Sequence, residues 1–392
     1  MEMKVAAFIL VGLAAAQCPV RREFRELRQD EQQIYLEAIR QLHQTPMSYQ
    51  GGKTMFEYFT KIHMNFHSAI HGTALFLPWH REFTHMYEQE LRKIDPRVVL
   101  PYWDWSLDSA EPHRSRVLDM MGGNGDYRNN YCVTQGPFAN WNVSHPQPHC
   151  LRRSFDTGQR ISPFASTESI SLDCNEPTFS DFAMRFEIKH GNPHVSIGGN
   201  YGDFSTMHSP NDPLFFMHHV FVDMVWAEWQ QRNPNAPFEG SRFGQQINED
   251  TVLPFFNIAI RDTLDTSRYC YSYDRFPRNV QAQQLPPNVQ NSVNTFSREN
   301  PFLGRWGRQR LSSLLGSRGR GFPRTRLNIP GLNSVFKQKK RNPLPDSFIR
   351  MNNLNPNIVR QTEREDAELV DLINSLSYNP MGYAQSIIDN FL

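Results

Sequence analysis

The 392-residue chain has no CxxC pair, no HExxH motif, no internal repeat of solenoid length and, beyond residue 16, no apolar run long enough to span a bilayer. These absences argue against a thiolate-held metal, a helix-borne metalloprotease site, a stacked-repeat fold and a transmembrane helix. Cysteine is scarce, with five residues at 18, 132, 150, 174 and 270. An oxidising compartment accounts for them better than a metal site, and two disulfides plus one free thiol are expected. Spacing does not set the connectivity. Cys132 with Cys150 would be a local bridge, and Cys18 with Cys270 would join two distant ends of a core.

Residues 1–16 read as a secretory signal: Lys4 precedes the apolar stretch Val5 to Ala16, and Ala14, Ala15 and Ala16 offer small residues for cleavage before Gln17. Twelve residues at ~1.5 Å each cannot cross a hydrocarbon core of ~30 Å. A secreted protein with no membrane span is expected. Asn142-Val143-Ser144 is a sequon for N-glycosylation among loop-forming residues.

Net charge is only +1, from 41 Lys and Arg against 40 Asp and Glu, yet it is unevenly spread. Arg298 to Arg350 carries 13 basic residues against Glu299 and Asp346, leaving 28 basic and 38 acidic residues elsewhere. The segment is rich in Gly, Pro and Ser and reads as a linker or wrapping arm. It could be a solvated tail, dock on the acidic core or bind a polyanion; nucleic acid is not the expected partner of an exported chain. Beyond it, Leu369, Leu372, Ile373 and Leu376 are spaced for an amphipathic helix over 362–376. The early chain is also helical in pattern, with Ile34, Leu36, Ile39 and Leu42, then Phe56, Phe59 and Ile62. A helical bundle is the natural scaffold.

Histidine is abundant, with 14 residues, and six fall in two sets. Neutral imidazole is a common ligand of copper, zinc and iron, and three per ion leave a position open for chemistry. Pro78 suits the first turn of a helix carrying His80; His71, before Gly72, reads as a loop ligand; and His63 or His67, one turn apart, could complete the set. His190 and His194, also one turn apart, can face one ion, although Pro193 predicts a helix end near His194. Asp212 and Pro213 predict a helix start, after which Phe215, His219, Asp223 and Trp226 share one stripe while His218 points about 100° away. His219 is the third candidate of that set, His218 its rival, and Asp223 a hydrogen-bonding support behind the ligands. His43, His67, His85 and His113 read as ordinary polar residues.

The blocks HGTALFLPWHREF, PYWDW at 101–105, HGNPHVSIGG and SPNDPLFFMHHVFVDMVWAEW together resemble, in order, the tyrosinase family of type 3 copper proteins, which includes catechol oxidases and molluscan-type hemocyanin units. The likeness runs from CPVRREFRELRQDEQQIYLEAI to CYSYD at 270–274; residues 277–392 match nothing in the family. It implies a mainly α fold with two copper ions inside an antiparallel four-helix bundle. His63, His71 and His80 would hold one copper, and His190, His194 and His219 the other. Three segments follow: signal 1–16, di-copper catalytic domain 17–276, and carboxy-terminal extension 277–392 acting as a lid or propeptide, with Lys339-Lys340-Arg341 as a processing site. Arg21 or Arg22 would meet Tyr271 or Tyr273, in keeping with a Cys18–Cys270 bridge.

The implied activity is oxidation of catechols, and of monophenols if they are accepted, to ortho-quinones by dioxygen. Small phenols or protein tyrosine and dopa side chains would be the substrates; reversible oxygen carriage in the manner of a hemocyanin is the alternative. Glu187 matches a glutamate associated with monophenol hydroxylation, and it could orient water or accept a proton. Gly191 stands where relatives active on monophenols often have asparagine, which tilts the expectation toward diphenols. Ala69 lies two residues before His71, where some relatives carry a cysteine, so their thioether crosslink is not expected.

Overall fold

Residues 18–47, 54–274 and 338–377 are described by the structure, a computed structural model; the proposed signal and most of the basic segment lie outside them. The architecture is mainly helical, with helices α1 (Gln29–Gln44), α2 (Met55–Ile70), α3 (Phe76–Ile94), α4 (Arg116–Met120), α5 (Thr167–Asp173), α6 (Phe179–Gly198), α7 (Leu214–Arg232), α8 (Asp346–Met351) and α9 (Pro356–Ser377). Strands among the described residues are two or three residues long. β1 (Val20–Arg21) pairs in parallel with β6 (Ser272–Tyr273), β2 (Asn142–Val143) pairs antiparallel with β3 (His149–Cys150), and β4 (Gly240–Arg242) pairs antiparallel with β5 (Gln245–Ile247).

Local chemistry explains where the long helices begin. Thr54 accepts from the Glu57 amide at 3.2 Å, and the Glu57 carboxylate accepts from the Thr54 amide at 3.1 Å, a capping box that opens α2. Its apolar stripe of Phe56, Phe59 and Ile62 is buried, and His63 shares that face. Pro78 is in the first turn of α3 as expected. Asp212 supports the start of α7 one residue earlier than a conventional cap: its carboxylate accepts from the Leu214 amide at 3.0 Å and binds Arg153 through two hydrogen bonds of 2.6 and 2.8 Å. α7 is buried on nearly every side, which marks it as the central helix. It packs against α3 and α6, and α3 also contacts α2.

Pro193 does not end its helix. α6 continues to Gly198 because tertiary hydrogen bonds hold the turn beyond the proline: Ser154 and Asp156 amides donate to Ile197 and Ser196 carbonyls at 3.2 and 2.9 Å. Packing here overrides the local cost of a missing amide donor.

Both expected disulfides are present, Cys18–Cys270 and Cys132–Cys150, with Cys174 free and buried. The first bridge lies beside a buried polar cluster that ties the core's two ends together. The Arg21 guanidinium lies 3.5 Å from the Tyr271 ring centroid and donates to Glu88 at 2.5 Å. Arg22 turns to Glu31 instead. Tyr271 and Tyr273 hydroxyls donate to Asp223 at 2.5 Å, as does Arg81. Asp223 therefore supports the core through arginine and tyrosine; no imidazole is among these partners.

The described part of the extension docks on the core. Leu344, Phe348, Ile349, Leu354 and Val359 form a second apolar cluster with Ile188 of α6. Ion pairs reinforce it: Arg185 with Glu365 at 2.6 Å, Lys189 with Asp366 at 3.3 Å, and Arg341 with Asp366. The Arg341 side chain is buried, so the triplet at 339–341 is not an open protease site in this docked form, although Lys339 and Lys340 are exposed. α9 contains the expected helix and Leu369 is buried, while the side chains of Leu372, Ile373 and Leu376 lie outside the description.

Candidate metal centre

The chain brings its histidines together in two buried groups. His63, from the third turn of α2, His71, which caps that helix, and His80, from the start of α3, place one ring nitrogen each within 4.8 Å of the others. Their ring centroids are 5.1 to 5.6 Å apart. His190 and His194 of α6 form the second group with both His218 and His219 of α7. His43, His67, His85 and His113 belong to neither group; His67 instead donates to the Met64 carbonyl at 2.7 Å.

Five imidazoles are oriented alike. His63, His71, His80, His190 and His194 each turn Nδ1 to a backbone carbonyl, on Met207, His67, Phe76, Glu187 and Phe204, at 2.7 to 3.0 Å. A carbonyl only accepts, so Nδ1 carries the proton and Nε2 keeps its lone pair. The Nε2 atoms of His63, His80 and His190 are buried without a partner, as are both ring nitrogens of His218 and of His219. Burial lowers the pKa of all seven rings, His63 to about 3 and His194 to about 4, and in most of them neighbouring imidazoles add to the effect. The rings are neutral, the form that binds metals. Convergent orphan nitrogens on all-imidazole sets fit a transition ion such as copper.

His218 is the residue that sequence geometry ranked behind His219. It is fully buried, stacks on His190 with centroids 5.1 Å apart, and turns toward the His190 carbonyl without closing a hydrogen bond. The two α7 histidines nevertheless face different ways. His219 stacks on His80 of the first group at 4.4 Å, whereas His218 lies against Phe204 and Trp105. Phe215 stacks on His219 at 4.1 Å and meets His63 at 5.2 Å, walling the space between the groups.

Glu187 and Gly191 flank the second group. Glu187 is buried and accepts from the Gly72 amide at 2.8 Å, tethering α6 to the turn after His71; burial raises its pKa well above the ordinary carboxyl range. Gly191 lies under Phe348 of the docked extension, where an added Cβ would stand 2.7 Å from the ring. Gly72, at φ +64°, faces the Asn353 carbonyl in the same way, at 2.5 Å. Neither contact could be read from sequence, because the extension has no motif to place it.

A family defined as the common central domain of tyrosinase matches residues 53–232. A tyrosinase-like protein, phomQ1, of Diaporthe leptostromiformis is 32% identical over 303 residues, covering 65% of this chain and 77% of its own. A tyrosinase of Streptomyces antibioticus is 34% identical over 225 residues, covering 52% of this chain and 80% of its own. Among solved structures, a mutant polyphenol oxidase from Thermothelomyces thermophila superposes with a TM-score of 0.52 at 23% identity, covering 65% of this chain and 88% of its own, a likeness of fold.

Proposed function

Because the chain belongs to the tyrosinase family of type 3 copper proteins, we propose that it is a secreted phenol oxidase that uses dioxygen to turn catechols into ortho-quinones. The observation that carries this reading is the pair of facing imidazole groups with protons parked on Nδ1 and lone pairs turned inward. His63, His71 and His80 would hold one copper, and His190, His194 and His219 the other. His219 is preferred to His218 because it faces the first group, where a second ion must lie to work with the first. When bound, the copper pair supplies the two-electron exchange between a phenol and dioxygen.

The chain's own groups do the rest. Phe215 and the buried helices exclude water from around the rings, keeping them neutral and fixed. Glu187, one turn before His190 and held by the Gly72 amide, would orient a water or, in its ionised form, take a phenol proton. Gly191 leaves room for a substrate ring in the open enzyme, and in the docked form that room is closed by Phe348. Residues 17–276 then form the catalytic domain, and the extension acts as its lid. Asn142 is exposed on β2, as a glycosylated asparagine must be.

Copper content and turnover of the full chain test the reading together. About two copper ions per chain and dioxygen-dependent quinone formation from catechol are expected, with slower reaction on a monophenol. Reversible oxygen uptake with no quinone from either the parent or a Phe348→Ala variant would make the protein an oxygen carrier instead.

A further inference from the structure

Three of the Nδ1 contacts in the metal centre are local, since His71, His80 and His190 donate to carbonyls three or four residues earlier in the chain. The other two leave their helices, and both end on one short loop. His194 donates to Phe204 at 2.7 Å and His63 donates to Met207 at 2.8 Å, so a loop three residues across holds one imidazole of each group.

That loop hangs from Asp203, which is 2% exposed. One carboxylate oxygen accepts from His149 Nε2 at 2.8 Å and from Asn211 Nδ2 at 2.9 Å, with His208 Nε2 3.5 Å away. The other accepts from the Arg152 amide at 2.8 Å, and the Asp203 amide donates back to the Arg152 carbonyl at 2.9 Å. His149 is on β3, next to Cys150, whose disulfide to Cys132 secures that strand. The anchor is thus built outside α2, α3, α6 and α7, the helices that carry the histidines.

We propose that Asp203, held by His149, is a positioning residue that orients one imidazole in each histidine group at once, so that loss of this anchor weakens both copper sites together. The inference rests on the copper reading above. Asparagine there keeps one acceptor oxygen but must turn its NH2 toward either the Arg152 amide or the His149 and Asn211 donors, so one side of the grip becomes a donor–donor clash and the loop is free to shift. Both carbonyls then release their rings, and loss of such an outer partner typically weakens metal binding by ~10–100-fold.

The test uses the full-length, copper-loaded chain and counts copper retained after a fixed chelator challenge that leaves the parent with two ions. Asp203→Asn and His149→Phe should fall toward zero, and His149→Gln, which keeps an N–H donor, should restore retention. A folded Asp203→Asn that melts earlier but keeps both ions overturns the proposal, as does one that keeps a single ion. If Asp203→Asn does not fold, the His149 pair decides: equal retention by the Phe and Gln variants overturns it. A parent chain that never binds two ions sinks the copper reading itself, a result visible before any variant is made.

Discussion

The first histidine group draws three rings from a single window, residues 63–80, using a helix, its cap and the next helix's first turns. The second draws four rings from two windows, 190–194 and 218–219, on two long helices. Economy in one half and surplus in the other have a consequence. The first half has three rings for three places, whereas in the second an extra ring, His218, joins His190 and His194 and also lies against Phe204 and Trp105. The halves are alike in another respect, since each has a histidine followed by glycine and each glycine is covered by the extension.

The largest effect should come from removing one ring from each half and comparing it with removal of the surplus ring. His80→Ala and His219→Ala should each cost one copper per chain and lower catechol turnover by more than the ~100-fold typical of losing an outer partner. His218→Ala should keep two ions. Metal analysis and turnover on the three variants would settle the matter: if His218→Ala loses an ion while His219→Ala keeps it, the preference for the ring facing His80 is wrong.

Next in size is the lid. Phe348 is 6% exposed and its ring meets Gly191. Truncating a buried phenylalanine removes ~3–5 kcal/mol in a well-packed core. The small cluster under the extension should give less, yet ~1.4 kcal/mol already shifts a docked–undocked balance tenfold. Phe348→Ala should therefore raise catechol turnover of the intact chain about tenfold without changing its copper content. Unchanged turnover would mean that the extension does not block substrate.

How much of this was legible in the sequence follows from the range over which each interaction acts. The helices and most of the candidate histidines depend on spacing within a window and the disulfide count on cysteine number, whereas spacing left His63 and His67 open and the family resemblance chose between them. Pro193 misled because the hydrogen bonds that carry α6 past it come from Ser154 and Asp156, far away in the chain. Asp223 was rightly placed in the interior, but its partners, Arg81, Tyr271 and Tyr273, lie on separate stretches. Helix geometry made His219 the candidate and His218 its rival, and the structure brings both rings to the second group, which spacing on one helix does not foretell. The covering of Gly191 by Phe348 was beyond reach, and it changes the meaning of that glycine. A residue that looked like a substrate-selecting position is also a packing position, and an asparagine there would have to displace the lid.

Gly72 gives a smaller test of whether the lid treats the two halves alike. Alanine in a left-handed conformation costs ~1–2 kcal/mol, and Gly158, at φ +80° with open space around it, isolates that cost. Gly72→Ala adds a clash with the Asn353 carbonyl of the extension. Both variants should melt a few degrees early, but only Gly72→Ala should also raise the turnover of the intact chain. Equal turnover would confine the lid's effect to the second half.

The smallest effect concerns what the halves share, the loop anchored by Asp203. Burial alone would lower the His149 pKa, but the hydrogen bond and charge of Asp203 outweigh it and hold the value above that of a free imidazole. A folded-state pKa above the unfolded one means that the native chain binds this proton more tightly. The stabilisation is fully present below the unfolded value of ~6.5 and is lost as pH rises through the raised folded value. The melting temperature of the parent should therefore exceed that of His149→Gln most at about pH 5.5 and converge on it by about pH 8, over a range of a few degrees at most. Taking the difference between two chains cancels the titration of the ligand histidines, which both share. A gap that widens with pH would show that His149 is held neutral in the folded chain, its burial outweighing the charge of Asp203.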